Sequence, residues 1–129
     1  MNVRVVEQHR RSEGGTDWSR SMRILGSPAV TNDGSCIIDF ATEGNLIAME
    51  ETEDAIAFVV YCRDSKDKVF RVGQFIDNFQ GLPLSVSHRV WAATLGLDEN
   101  GHLTLRTAER RNFVIDPPSG RLLEGAFAH

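Results

Sequence analysis

Ser85, Ser87, His88, Arg89 and Trp91 fall within the seven residues "SVSHRVW". A serine beside a histidine is the raw material of a nucleophile and its base, with Asp98 or Asp116 as the group that would orient the imidazole. Such a pair must come within about 2.6–3.2 Å. Neighbours on an extended strand point to opposite faces, so Ser87 and His88 are not expected to meet. On that strand His88, Val90, Ala92 and Thr94 share one face, and Ser87, Arg89, Trp91, Ala93 and Leu95 the other. Trp91 and Leu95 mark the second face as the core side, with Arg89 at its rim and its stem packed on Trp91. The cluster therefore reads as structural. The alternative is a small enzyme or ligand-binding barrel with a pocket at His88, Arg89, Trp91 and Arg106.

Arg106, Arg110 and Arg111 crowd the stretch "RTAERRN". Three guanidinium groups can grip a carboxylate or phosphate, yet arginines at a hairpin tip also serve simply as solvated groups, and that is the reading here. No phosphate-cradling glycine loop and no nucleophile elbow is present. The four histidines have no spacing that makes a local metal clip, so neither a metal nor a cofactor is expected. Cys36 and Cys62 each lie in an apolar run, "SCIIDF" and "FVVYCR". They read as buried free thiols acting as small hydrophobes, with a disulfide between them as the less favoured reading.

The charge layout is more informative than the net charge of −4. Residues 1–23 carry +2 and residues 63–129 carry +1, whereas residues 24–62 carry −7 with no lysine or arginine. That block holds Asp33, Asp39, Glu43, Glu50, Glu51, Glu53 and Asp54. Carboxylates without interleaved cations make a field of one sign, which speeds association with basic partners and rejects acidic ones. Asp39, Glu43, Glu50, Glu51, Glu53 and Asp54 are the expected partner-binding residues, with Trp18, Phe75 and Phe79 as apolar anchors beside them. Nucleic acid is not expected as a ligand, because phosphate binding calls for a basic footprint.

These residues need elements to position them. At 129 residues with 41% hydrophobic and 25% charged side chains, the chain suits a single globular domain spanning 1–129. No apolar run reaches membrane-helix length and no secretory leader is evident, so a soluble cytoplasmic protein is expected. Short apolar or alternating stretches recur between turn signals such as "TNDG", "DENG" and "PPSG". They predict a mainly β domain of about eight short strands, as an antiparallel meander, sandwich or partly open barrel. "AIAFVVYC" is apolar on both alternating sets and predicts a central strand covered on both faces. The runner-up is an α+β fold with one short helix over "NLIAMEETEDAIAF", since Met, Glu and Ala favour helices. Residues 8–21 read as a polar loop or mobile arm.

The functional expectation is a non-catalytic module that binds a basic protein through its acidic face. Its most concrete form is a bacterial immunity protein, which would neutralise a toxin by covering a basic substrate cleft. Oligomeric state is not legible in the sequence.

Overall fold

The computed structural model describes residues 3–5, 20–22, 27–41 and 46–128. The chain is mainly β. Its strands are β1 (Val3–Val5), β2 (Arg20–Met22), β3 (Ser27–Val30), β4 (Cys36–Phe40), β5 (Leu46–Ala48) and β6 (Ile56–Cys62), then β7 (Lys68–Arg71), β8 (His88–Val90), β9 (Ala92–Leu97), β10 (Leu103–Thr107), β11 (Asn112–Asp116) and β12 (Arg121–Glu124). The helical content of the described residues is two single 3₁₀ turns, Val72–Gln74 and Phe79–Gly81. Of the expected polar arm, residues 8–19 lie outside the described residues, and Arg20 and Ser21 begin β2. No helix among the described residues is long and apolar enough to cross a membrane.

Two four-stranded antiparallel sheets carry the fold, in the orders β3-β4-β6-β7 and β12-β11-β10-β9. They share one core, to which β4 and β6 give Ile38, Phe58 and Val60 and β10 and β11 give Leu103, Leu105, Phe113 and Ile115. Two smaller pairs, β1-β2 and β5-β8, complete the sheets.

The central strand is β6, buried on both sides as its double apolar pattern predicts. Phe58, Val60 and Cys62 face the main core, while Val59 and Tyr61 join Ile37 in a second cluster on the opposite face. A bulge between Ile56 and Phe58 reverses the phase at the start of the strand. Ile56 therefore packs with the second cluster and Ala57 with the main core, the reverse of strict alternation. The rival helix over "NLIAMEETEDAIAF" does not form. Leu46–Ala48 pair with β8, and residue 56 onward pairs with β4 and β7.

Hairpin tips follow their turn chemistry. Gly34 and Gly101 adopt φ of 73° and 79°, a region costly to any residue with a Cβ. Asp33 Oδ1 accepts the Ser35 N–H at 2.9 Å, and Asp98 Oδ1 accepts the N–H groups of Asn100 and His102 at 2.8 and 2.9 Å. The two tips are also tied together, the Asn32 side-chain amide donating to the Glu99 carbonyl at 2.9 Å.

Beyond Arg71 the chain turns over Val72–Gln74. Two expectations need correction. The stretch from Ser87 to Leu95 read as one strand is divided between two sheets, because the chain changes sheet at Trp91. The cysteines are not free thiols: Cys36 and Cys62 are joined by a disulfide. They are direct cross-strand partners in the β4–β6 ladder. The adjacent Arg63 N–H bonds to the Ser35 carbonyl, which makes 36–62 the non-hydrogen-bonded position, where facing side chains stand closest.

Candidate functional site

The acidic turn between β5 and β6 forms one wall of an open groove of about 690 Å³. Glu51, Thr52, Glu53 and Asp54 supply that wall, and Asp77, Asn78, Phe79 and Gln80 supply the opposite one. Met49 and Arg89 complete the lining.

Local bonds shape the first wall. The Glu51 N–H reaches back to the Ala48 carbonyl at 3.0 Å, and the Ala55 N–H bonds to the Thr52 carbonyl at 3.0 Å. The Glu53 carbonyl accepts the Gly73 N–H at 2.8 Å, which docks the turn on the first 3₁₀ turn. Glycine suits that approach, since a Cβ on residue 73 would lie 3.0 Å from the Glu53 oxygen and 3.1 Å from its Cβ, and Glu53 would have to give by a few tenths of an ångström. Arg71 adds a guanidinium bond to the Asp54 carbonyl at 2.7 Å.

The second wall is held from a distance. Both carboxylate oxygens of Glu109 accept successive backbone N–H groups, those of Asp77 at 2.7 Å and Asn78 at 2.8 Å. Glu109 stands in the β10–β11 turn, so that hairpin tip holds the backbone at Asp77 and Asn78. Removing the carboxylate with Glu109→Ala is expected to cost about 1–2 kcal/mol, as hydrogen bonds to a charged acceptor but near solvent. Amide hydrogen exchange at Asp77 and Asn78 should then quicken about tenfold or more while β6 stays protected. Unchanged exchange at these two amides would count against this role for Glu109.

Electrostatically the groove gathers Glu51, Glu53, Asp54 and Asp77, all exposed, around a single lining cation. That cation, Arg89, stands 5.0 Å from the centre of the Phe79 ring and donates to the Gln80 side chain at 3.4 Å. Its Nε is buried with no hydrogen-bond partner among the described residues. Packing on an aromatic face, rather than a carboxylate partner, therefore accounts for its position.

The other expected partner-binding residues fare differently. Glu50 is exposed on the same turn but does not line the groove, and Glu43 lies outside the described residues. Asp39 is fully buried in β4, in register with Pro28 and Val59. It cannot touch a partner, because the strand face it occupies is covered. Of the expected anchors, Phe79 does line the groove, Trp18 lies outside the described residues, and Phe75 is a fully buried core residue. Asp77, Asn78 and Gln80 were not singled out from sequence. No signal in it links them to the acidic turn across more than twenty residues.

The residues of the alternative pocket are spread over different strands. His88 belongs to β8, while Arg106 sits exposed on β10 and bonds to the Asn112 side chain at 3.3 Å. Trp91 is fully buried in the core. Of the arginine trio, Arg111 lies over the Phe113 ring and bonds to the Ala126 carbonyl, and Arg110 takes the positive-φ position of its turn. One expectation is overturned in the opposite sense, since Ser87 Oγ and His88 Nδ1 do meet, at 2.8 Å. Ser87 precedes β8 and stands in a turn, so strand alternation does not govern it. The contact is exposed and lies outside the groove.

No family model, no curated protein and no solved structure matches the chain.

Proposed function

We propose that this chain is a non-catalytic binding module that docks a basic protein partner in the groove between Glu51–Asp54 and Asp77–Gln80. One observation carries the reading: four carboxylates from two separate segments surround one open volume with Arg89 as its lining cation. Converging charges of one sign focus a field into a cleft and select cationic surfaces over anionic ones. The same field repels phosphodiester backbones, so nucleic acid is not the ligand in this proposal. The most concrete form is a toxin-neutralising immunity protein, its groove occupied by cationic side chains from the rim of a toxin's substrate cleft.

The disulfide bears on where this happens. Such bonds persist in oxidising surroundings and are rare in the cytosol, so Cys36–Cys62 weighs against the cytosolic expectation. We place the docking in an oxidising compartment.

The test uses the whole chain as bait in lysate at low and high salt, followed by affinity measurement on the protein retained. One stoichiometric basic partner, released as salt rises, is the expected result. Glu51→Lys/Glu53→Lys/Asp77→Lys should then weaken binding about 100-fold or more and flatten its salt dependence. His88→Ala should leave affinity within about twofold, since rim substitutions away from the contact matter little. Loss at His88 with no effect of the charge reversals would sink the proposal and restore the pocket reading.

A further inference from the structure

We infer that the surface adjoining the groove is built for apolar side chains of the same partner, so that the ligand is a protein segment carrying both cationic and apolar groups. This rests on the docking reading above and names the chemistry of what docks.

The residues concerned are Met49, Leu84 and Val86, which are 39%, 59% and 102% exposed. Isolated exposed apolar side chains are ordinary, but these three are neighbours. Leu84 ends one limb and Val86 occupies the tip of a hairpin whose limbs are Pro83–Leu84 and His88–Val90. The Val90 N–H bonds to the Pro83 carbonyl and the Ser85 N–H to the His88 carbonyl, both at 2.8 Å. Leu84 pairs with Arg89 as a β-bridge, and the Met49 N–H bonds to the Ser87 carbonyl at 3.1 Å. Met49 and Arg89 both line the groove, so the hairpin is tied to two residues of its lining.

The backbone of this tip is tied on both limbs, and its apolar side chains are held in water. A preorganised display of that kind lowers the ordering cost of binding. Apolar anchors bordered by complementary charge are the usual make-up of a specific interface. Charge decides among occupants. A second copy would bring a like-signed groove to the same place, and an anionic lipid surface would be repelled, whereas a cationic segment with apolar residues satisfies both halves of the surface.

Two synthetic helical peptides of about 15 residues and equal positive charge provide the probe, one with an arginine face and a leucine face, the other with every leucine replaced by serine. Calorimetric titration should show the Arg/Leu peptide binding about tenfold or more tighter, from burial of the anchors. Leu84→Ser/Val86→Ser, at solvent-exposed positions, should erase that difference and leave the Arg/Ser peptide's affinity unchanged. Equal affinity of the two peptides for the natural chain would overturn this inference while leaving the docking reading intact. Failure of both peptides to bind at low salt, or binding indifferent to Glu51→Lys/Glu53→Lys/Asp77→Lys, would overturn the docking reading and this inference with it. A concentration-dependent dimer by light scattering that Leu84→Ser/Val86→Ser converts to monomer would assign the tip to a second copy and overturn it as well.

Discussion

Phe75→Ala is expected to destabilise the protein by about 3–5 kcal/mol, the range for removing a large aromatic from a closed core. Phe75 is fully buried. Its ring centre lies 5.7 Å from Phe58, 6.2 Å from Phe70, 6.4 Å from Trp91, 5.1 Å from Phe113 and 5.6 Å from Phe127. These neighbours come from both four-stranded sheets, from the sheet-switching point and from the C-terminal segment. Deleting the ring therefore opens a void bounded by several rigid elements, which cannot all relax into it, and the cavity cost adds to the lost transfer energy. Urea unfolding monitored by tryptophan fluorescence gives the value directly. The midpoint should fall with little change in slope. A loss below about 1 kcal/mol would mean that the surrounding rings close over the gap and that Phe75 is not the hub its position implies.

Removing the Cys36–Cys62 crosslink is the second large effect. The bond closes a loop with a sequence separation of 26, and loop-closure entropy for that length corresponds to about 3.5 kcal/mol in the unfolded state. Cys36→Ala/Cys62→Ala keeps small apolar groups at two buried positions, so most of its cost should come from this entropy rather than from packing. In urea, the oxidised natural chain should exceed the double variant by roughly that amount. Reductant should lower the stability of the natural chain and leave the variant untouched. A difference under about 1 kcal/mol would show that the crosslink adds little to stability, and equal sensitivity of both to reductant would show that it does not form in the folded protein.

Both effects concern residues whose importance is hidden along the chain. Sequence by itself determined what depends on neighbours a few residues apart. The double apolar pattern of "AIAFVVYC" specifies a strand covered on both faces, and β6 is one. "TNDG" and "DENG" specify tight turns because aspartate oxygens can accept nearby N–H groups and glycine can take positive φ, and both do so. The acidic character of Glu50–Asp54 was equally local, and three of those carboxylates line the groove.

What only the tertiary structure decided is which distant segments become neighbours. The sulfurs of Cys36 and Cys62 meet because β4 pairs with β6 in one particular register, and a shift of a single residue would place them on opposite faces. Asp39 has the same residue type as Asp77, yet one is buried in a strand and the other stands in a groove wall positioned by Glu109. Trp91 lies between one strand and the next, which belong to different sheets, and no alternation pattern records that switch. Each of these depends on pairing between segments far apart in the chain, where loop closure and the packing of the whole core choose among arrangements that local preferences leave equal.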